Sequence, residues 1–158
     1  MLRKLILLVF VFVTACGGSE YLVHTPEKKH SPRIVNWKHY TPAVVRTGMS
    51  LDRPVLLYFT AKDCVECDIM EFMSFREPKL AFYINTKHFP VIVKEKNKSL
   101  AKKYGVTKYP ALVILSSRKG ERLSLIEGAF RPKALYAWLL QAEKFNAILD
   151  GNDRDWET

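Results

Sequence analysis

At 158 residues the chain is long enough for one compact domain and not comfortably for two, and its 48% hydrophobic and 26% charged side chains are those of a folded protein. Its formal net charge is +9, much of it in Lys94, Lys96, Lys98, Lys102, Lys103 and Lys108. These lysines lack the regular aromatic and arginine interleaving of a nucleic-acid face and read as solvated surface, so nucleic acid is excluded as a partner.

Arg3 and Lys4 precede an uninterrupted apolar run, Leu5 to Val13, the charge-then-hydrophobic layout of a secretory signal and too short for a comfortable membrane span. The run ends in Val13-Thr14-Ala15-Cys16, followed by Gly17-Gly18-Ser19. This pattern resembles the lipobox of bacterial lipoproteins, in which a cysteine after small residues becomes the lipidated amino terminus. The resemblance implies that residues 1–15 are a signal peptide, that Cys16 carries lipid and joins no disulfide, and that the membrane is a partner through it. Each buried acyl methylene contributes about 0.8 kcal/mol to membrane affinity, so several chains make a firm anchor. The expected location is the periplasmic side of a bacterial membrane; Gly17 stands where Asp favours inner-membrane retention and points to the outer membrane. Loss of Arg3 and Lys4 lowers the formal charge from +9 to +7. In that compartment a cysteine pair is oxidised unless something actively reduces it.

Residues 16–36 are polar, contain Pro26 and Pro32 and show no apolar period, so they read as a tether. His24, His30 and His39 fall in or beside it at irregular spacing, as scattered surface histidines do. The domain is expected over 37–149. Trp37 to Met49 supplies a first short helix or strand-like lead-in. Arg53 to Thr60 carries a continuous apolar run after Pro54, the pattern of a strand buried on both faces. From Cys64 to about Asn85, Ile69, Met70, Phe72, Met73, Phe75, Leu80 and Phe82 recur at roughly helical spacing, with a break near Pro78. Phe89 to Val93 is a second strand, Ser99 to Tyr104 a short helix, and Tyr109 to Leu115 a third strand entered through Pro110. Ser116 to Gly120 turns the chain into a fourth strand, Arg122 to Glu127. Pro132 to Leu149 is an amphipathic helix with Leu135, Trp138, Leu139, Ala142, Phe145 and Ile148 on one face, and 150–158 is a polar tail.

Cys64 and Cys67 therefore open a helix that directly follows a buried strand. A thiol at a helix amino terminus faces unpaired N–H groups and the positive end of the dipole, which stabilise its thiolate and make Cys64 the expected nucleophile. Cys67, three residues on and on the same helical face, can close a disulfide with it. A single Cys-x-x-Cys serves equally in zinc ribbons, but those need a second ligand pair and this chain has none.

The strand, Cys64-Val65-Glu66-Cys67 at a helix start, and Tyr104-Gly105-Val106 leading to Tyr109-Pro110 together resemble the thioredoxin-like family over roughly residues 37 to 148. Cys64, Cys67, Met70, Glu71 and Phe75 resemble most closely the exported members and the DsbD carboxy-terminal thiol domain. The resemblance implies an α/β thioredoxin-like fold, a central mixed β-sheet flanked by helices, and a thiol-disulfide oxidoreductase with Cys64 and Cys67 as catalytic residues. It implies a cis Tyr109-Pro110 bond beside the cysteines, with the Tyr109 backbone binding an extended substrate strand with little sequence preference. The partners it implies are protein disulfides or thiols and an upstream thiol reductant; no cofactor and no metal is called for. The sequence departs from the family at three places. Tyr58 occupies the position of a buried Asp six residues before the first cysteine, Asp63 replaces Trp, and Val65-Glu66 replaces Gly-Pro. Carboxylates beside the thiols raise their pKa and favour the disulfide over the dithiol, which makes a reductant rather than a strong oxidant. Glu66 is a candidate for proton transfer with Cys67. The alternative function is copper binding or delivery through the cysteine pair and His88, the one histidine inside the core region. A third reading is an inactive tethered scaffold.

Overall fold

The computed structural model describes residues 34–149. In chain order its elements are β1 (Lys38–His39), α1 (Pro42–Ser50), β2 (Val55–Thr60), α2 (Val65–Met73), α3 (Pro78–Lys87), β3 (Phe89–Lys94), α4 (Lys98–Tyr104), β4 (Ala111–Leu115), β5 (Arg122–Glu127) and α5 (Pro132–Leu149). The strands form one five-stranded sheet in the order β1-β3-β2-β4-β5. β1, β3 and β2 are parallel; β4 is antiparallel to β2, and β5 to β4.

Every residue of β2 is buried, which is why its sequence shows an unbroken apolar run rather than alternation. Leu56 and Tyr58 point into a cluster with Met70, Phe75, Leu80, Ile84, Leu135 and Leu139, contributed by α2, the segment after it, α3 and α5. Val55, Leu57 and Phe59 point the other way, to Phe89, Val91, Val93, Ala101 and Tyr104, with Val44, Val45 and Met49 of α1 packed against them. Full burial of each large apolar side chain contributes roughly 1.5–3 kcal/mol, so both layers are anchored on this strand. α1 approaches it through Gly48, where a Cβ would come within 2.7 Å of the Phe89 ring and 2.9 Å of Val55.

The helical stretch from Cys64 to Asn85 is broken ahead of Pro78, as expected, into two helices. Glu77 caps α3 through its carboxylate, which accepts the Leu80 N–H at 2.6 Å, and Pro78 starts it. The lead-in from Trp37 contains both a strand and a helix. Val35 and Asn36, read from the sequence as the end of the tether, belong to the domain: Val35 is buried in the core, and the Asn36 N–H donates to Asn85 Oδ1 at 2.8 Å. The rest of the tether, the signal segment with Cys16, and the tail from 150 lie outside the described residues. On α5, Leu135, Leu139 and Ala142 are buried, whereas Phe145 and Ile148 are exposed; the helix continues past the residues that pack on the sheet.

His88 ends α3 and is fully buried, and neither ring nitrogen has a partner. The Arg53 guanidinium donates to the His88 carbonyl and to the Asn85 carbonyl, and the Tyr83 ring lies 5.8 Å away. Burial, helped by the charges of Arg53 and Lys87, pushes the imidazole down to about 3. The unfolded chain protonates this group near 6.5, the native one only near 3, so the unfolded state binds the extra proton between those values. Native stability is therefore lost as pH falls below about 6.5, at up to about 1.4 kcal/mol per pH unit. The melting temperature should drop between pH 7 and pH 5, and His88→Phe should flatten that slope; thermal unfolding across the range in both proteins measures it.

Candidate active site

The site begins where β2 ends. Between Thr60 and α2 the chain turns through Asp63, whose φ of +55° is left-handed; Asp is one of the few side chains that tolerate this region. Cys64 then caps α2 with an extended backbone, and its Sγ accepts the Cys67 N–H at 3.1 Å. The two cysteines are joined in a disulfide, with Cα atoms 5.2 Å apart. They are not equivalent: Cys64 is half-buried and reachable, whereas Cys67 is 1% exposed. A half-buried cysteine at a helix amino terminus and a fully covered one behind it match attacker and resolver.

Beneath them, Tyr58 occupies the strand position where an acid was expected from the resemblance. Its hydroxyl donates to Glu71 Oε1 at 3.1 Å and reaches the Cys67 carbonyl at 3.5 Å. Its ring is held by Phe75 at 4.9 Å and Trp37 at 5.2 Å. Burial raises the phenol well above its ordinary range; the hydrogen bond with Thr60 opposes this and Glu71 adds to it. Tyr58 is thus a permanent donor and not a base.

The structure assembles the second half of the site by register. Ala111 pairs with Phe59, so Pro110 stands level with the end of β2, on the side from which Cys64 departs. The Tyr109-Pro110 bond is cis, as expected; Pro110 is buried and Tyr109 half-buried. The Pro110 carbonyl accepts the Gly128 N–H at 2.7 Å. Glu127 takes the N–H groups of Thr107 and Lys108, the latter at 3.0 Å, together with the Thr107 hydroxyl. The Thr107 N–H leads in lowering the Glu127 pKa. Its carboxylate therefore clamps the loop that delivers Tyr109.

Glu66, the carboxylate singled out in the sequence, is exposed on α2, and its Oε2 lies 4.0 Å from where a Gly128 Cβ would stand. The carboxylate linked to the ground under Cys67 is Glu71, which was read only as part of the family likeness. It sits four residues after Cys67, one helical turn along the same face, and that spacing was the available signal. Glu127 was visible only as a strand end. His88 does not join the cysteines: Phe89 pairs with Val55 at the start of β2, so His88 and Cys64 are separated by the length of the strand, about 20 Å.

The family model described as a thioredoxin-like domain matches residues 45–143. The chain belongs to the thioredoxin-like domain family. No curated protein matches its sequence. Among solved structures, a thioredoxin from Thermus thermophilus resembles it with a TM-score of 0.63 and 20% identity, over 77% of this chain and 98% of that one. The structure of DsbH oxidoreductase gives 0.58 and 21%, over 69% and 84%. The oxidised DsbD c-terminal domain of Neisseria meningitidis gives 0.54 and 22%, over 66% and 97%. These likenesses are of fold. A thioredoxin-like domain with a closed Cys-x-x-Cys at the start of α2 is a thiol-disulfide oxidoreductase.

Removing the clamp on the Tyr109 loop should loosen it without unfolding the domain. In Glu127→Ala, amide exchange at Thr107 and Lys108 should accelerate about fivefold or more, equivalent to about 1 kcal/mol of lost protection, while β2 amides stay unchanged. Hydrogen exchange read residue by residue by NMR checks it.

Proposed function

We propose that this oxidoreductase is a reductant of protein disulfides, working outside the cytoplasm and tethered to the membrane through lipidated Cys16. The carrying observation is the asymmetric pair, reachable Cys64 before covered Cys67, above a Tyr58 that cannot act as a base. The Cys64 thiolate attacks one sulfur of a substrate disulfide, forming a mixed disulfide and releasing the other sulfur as a thiolate. Cys67 loses its proton and attacks Cys64 Sγ, which expels the second substrate thiolate and closes the Cys64–Cys67 bond. The substrate has gained two electrons and takes up two protons; an upstream dithiol restores the pair by the reverse exchange. Glu71, joined to Tyr58 beside Cys67, is a better-placed proton acceptor than Glu66. The Tyr109 backbone, level with the pair, receives an extended segment of substrate.

The direction follows from charge. Asp63, Glu66, Asp68 and Glu71 all fall within four residues of Cys64 or Cys67 in the chain, against the single cation Lys62, whereas a thiolate is favoured by positive neighbours. A less stabilised thiolate favours the oxidised domain and makes its dithiol the stronger reductant.

The reduction potential of the domain against glutathione should lie below about −180 mV; a value near or above about −120 mV, that of a strong oxidant, sinks the assignment of direction. Asp63→Asn combined with Glu66→Gln should lower the Cys64 thiol pKa and raise the potential by about 10–30 mV, the equivalent of roughly 0.5–1.4 kcal/mol.

Cys67→Ser should accumulate a mixed disulfide at Cys64 that dithiothreitol releases, and Cys64→Ser should form none. Mass spectrometry after incubation with oxidised insulin reads both; turnover surviving in Cys64→Ser would overturn the mechanism.

A further inference from the structure

The outward face of α2 is apolar where a surface helix is ordinarily polar. Val65, Ile69, Phe72 and Met73, spaced i, i+4, i+7 and i+8, are 71%, 46%, 68% and 55% exposed. Only Cys67 and Met70 of this helix are buried, so most of the apolar period read from the sequence points to solvent. The stripe starts at the residue following Cys64 and runs about 12 Å along the helix axis. Arg76 lies over the Phe72 ring at 5.2 Å and marks its far end. By helical geometry Glu66 and Asp68 stand on its two sides, and Asp63 precedes it, an acidic rim on a chain of formal charge +9.

We infer that this stripe docks the protein substrate: a partner whose reactive disulfide is flanked by an apolar ridge with lysine or arginine beside it. The inference rests on the reading of Cys64 as the exchanging thiol. Any molecule exchanging with Cys64 must lie against the amino-terminal end of α2, and the stripe is continuous with that end. Exposed apolar patches of this kind mark interaction surfaces. The acidic rim selects among occupants. An anionic lipid surface would be repelled by Asp63, Glu66 and Asp68, and a second copy would bring Arg76 as the only cation, among the described residues, seated on its own stripe. A basic, apolar-ridged protein is attracted on both counts, and rim charges act mainly on encounter rate. The site therefore adds side-chain preference to backbone pairing at Tyr109, which by itself reads little sequence.

The test uses the full chain and three synthetic peptides, each with one internal disulfide. The first carries Leu, Phe and Lys beside the disulfide, the second has Ser for Leu and Phe, and the third has Glu for Lys. Rates are divided by the rate with oxidised glutathione. The first peptide should react at least tenfold faster than the other two, Ile69→Ser with Phe72→Ser should erase its advantage over the second, and Asp68→Lys should narrow its advantage over the third. Equal ratios for all peptides, or ratios unmoved by the substitutions, overturn the docking inference. No reaction with glutathione or any peptide overturns the oxidoreductase reading instead. Sedimentation showing a dimer that Ile69→Ser with Phe72→Ser dissociates, or binding to phosphatidylglycerol vesicles lost in the same variant, assigns the stripe to another occupant and also overturns it.

Discussion

The reactive end of the molecule depends on β2 being buried on both faces while paired on both edges. Its backbone groups are taken by β3 on one side and β4 on the other, and its side chains fill two separate clusters. Such a strand has no free direction in which to move. Its end is therefore a fixed point from which Cys64 departs, and the pairing of Phe59 with Ala111 places Pro110 at that point too. Two segments far apart in sequence meet because one strand's register allows nothing else. A slip by one residue would also exchange the faces, carrying the Tyr58 hydroxyl into the cluster of Leu57 and Phe59, where its hydrogen bond with Glu71 would be lost.

That hydroxyl changes the electrostatics of the pair. A carboxylate at the same buried position would act on Cys67 through a medium of low dielectric, where a charge is felt strongly and a proton is held tightly. Here the buried group is neutral and stays so, and the negative charge sits outside on Glu71, an exposed residue. A charge at the surface acts through solvent and is screened by salt. The core needs only a hydrogen-bond donor at Tyr58, and the charge can vary at the surface without leaving an unpaired ion inside.

The order of strands and helices was legible because β2, β3 and β4 are continuous apolar runs, and because Pro54, Pro78, Pro110 and Pro132 punctuate the elements. The placement of Cys64 and Cys67 at a helix start followed from the same punctuation. What was not legible depended on position in space. Helical spacing in α2 showed an apolar period, but a period does not say which of two faces meets the sheet, and Phe72 and Ile69 face out. Glu127 reads as the end of a strand; its role arises because β4 and β5 are paired so that its carboxylate meets Thr107 and Lys108. His88 precedes a strand and carries no local sign that β2 and β3 run parallel, which is what sets it at the opposite end from the thiols.

The two ends of the sheet have different physical tasks. At the start of β2, Gly48 meets Phe89 without room for a methyl group, and His88 is sealed in with Arg53 held on the carbonyls above it. At the other end are charged, exposed side chains and a disulfide closing a loop with a sequence separation of only 3. A cross-link over so short a loop constrains the unfolded chain by only about 2 kcal/mol, against nearly 5 for a loop of about 100 residues. Opening it removes little of what holds the fold, because neither cluster on β2 depends on the S–S bond, although one of them, through Tyr58 and Met70, lies directly beneath the pair. The pair can alternate between dithiol and disulfide on a scaffold held by packing rather than by the cross-link, and because α2 packs through Cys67 and Met70 its other face is left to present apolar side chains that the core does not need.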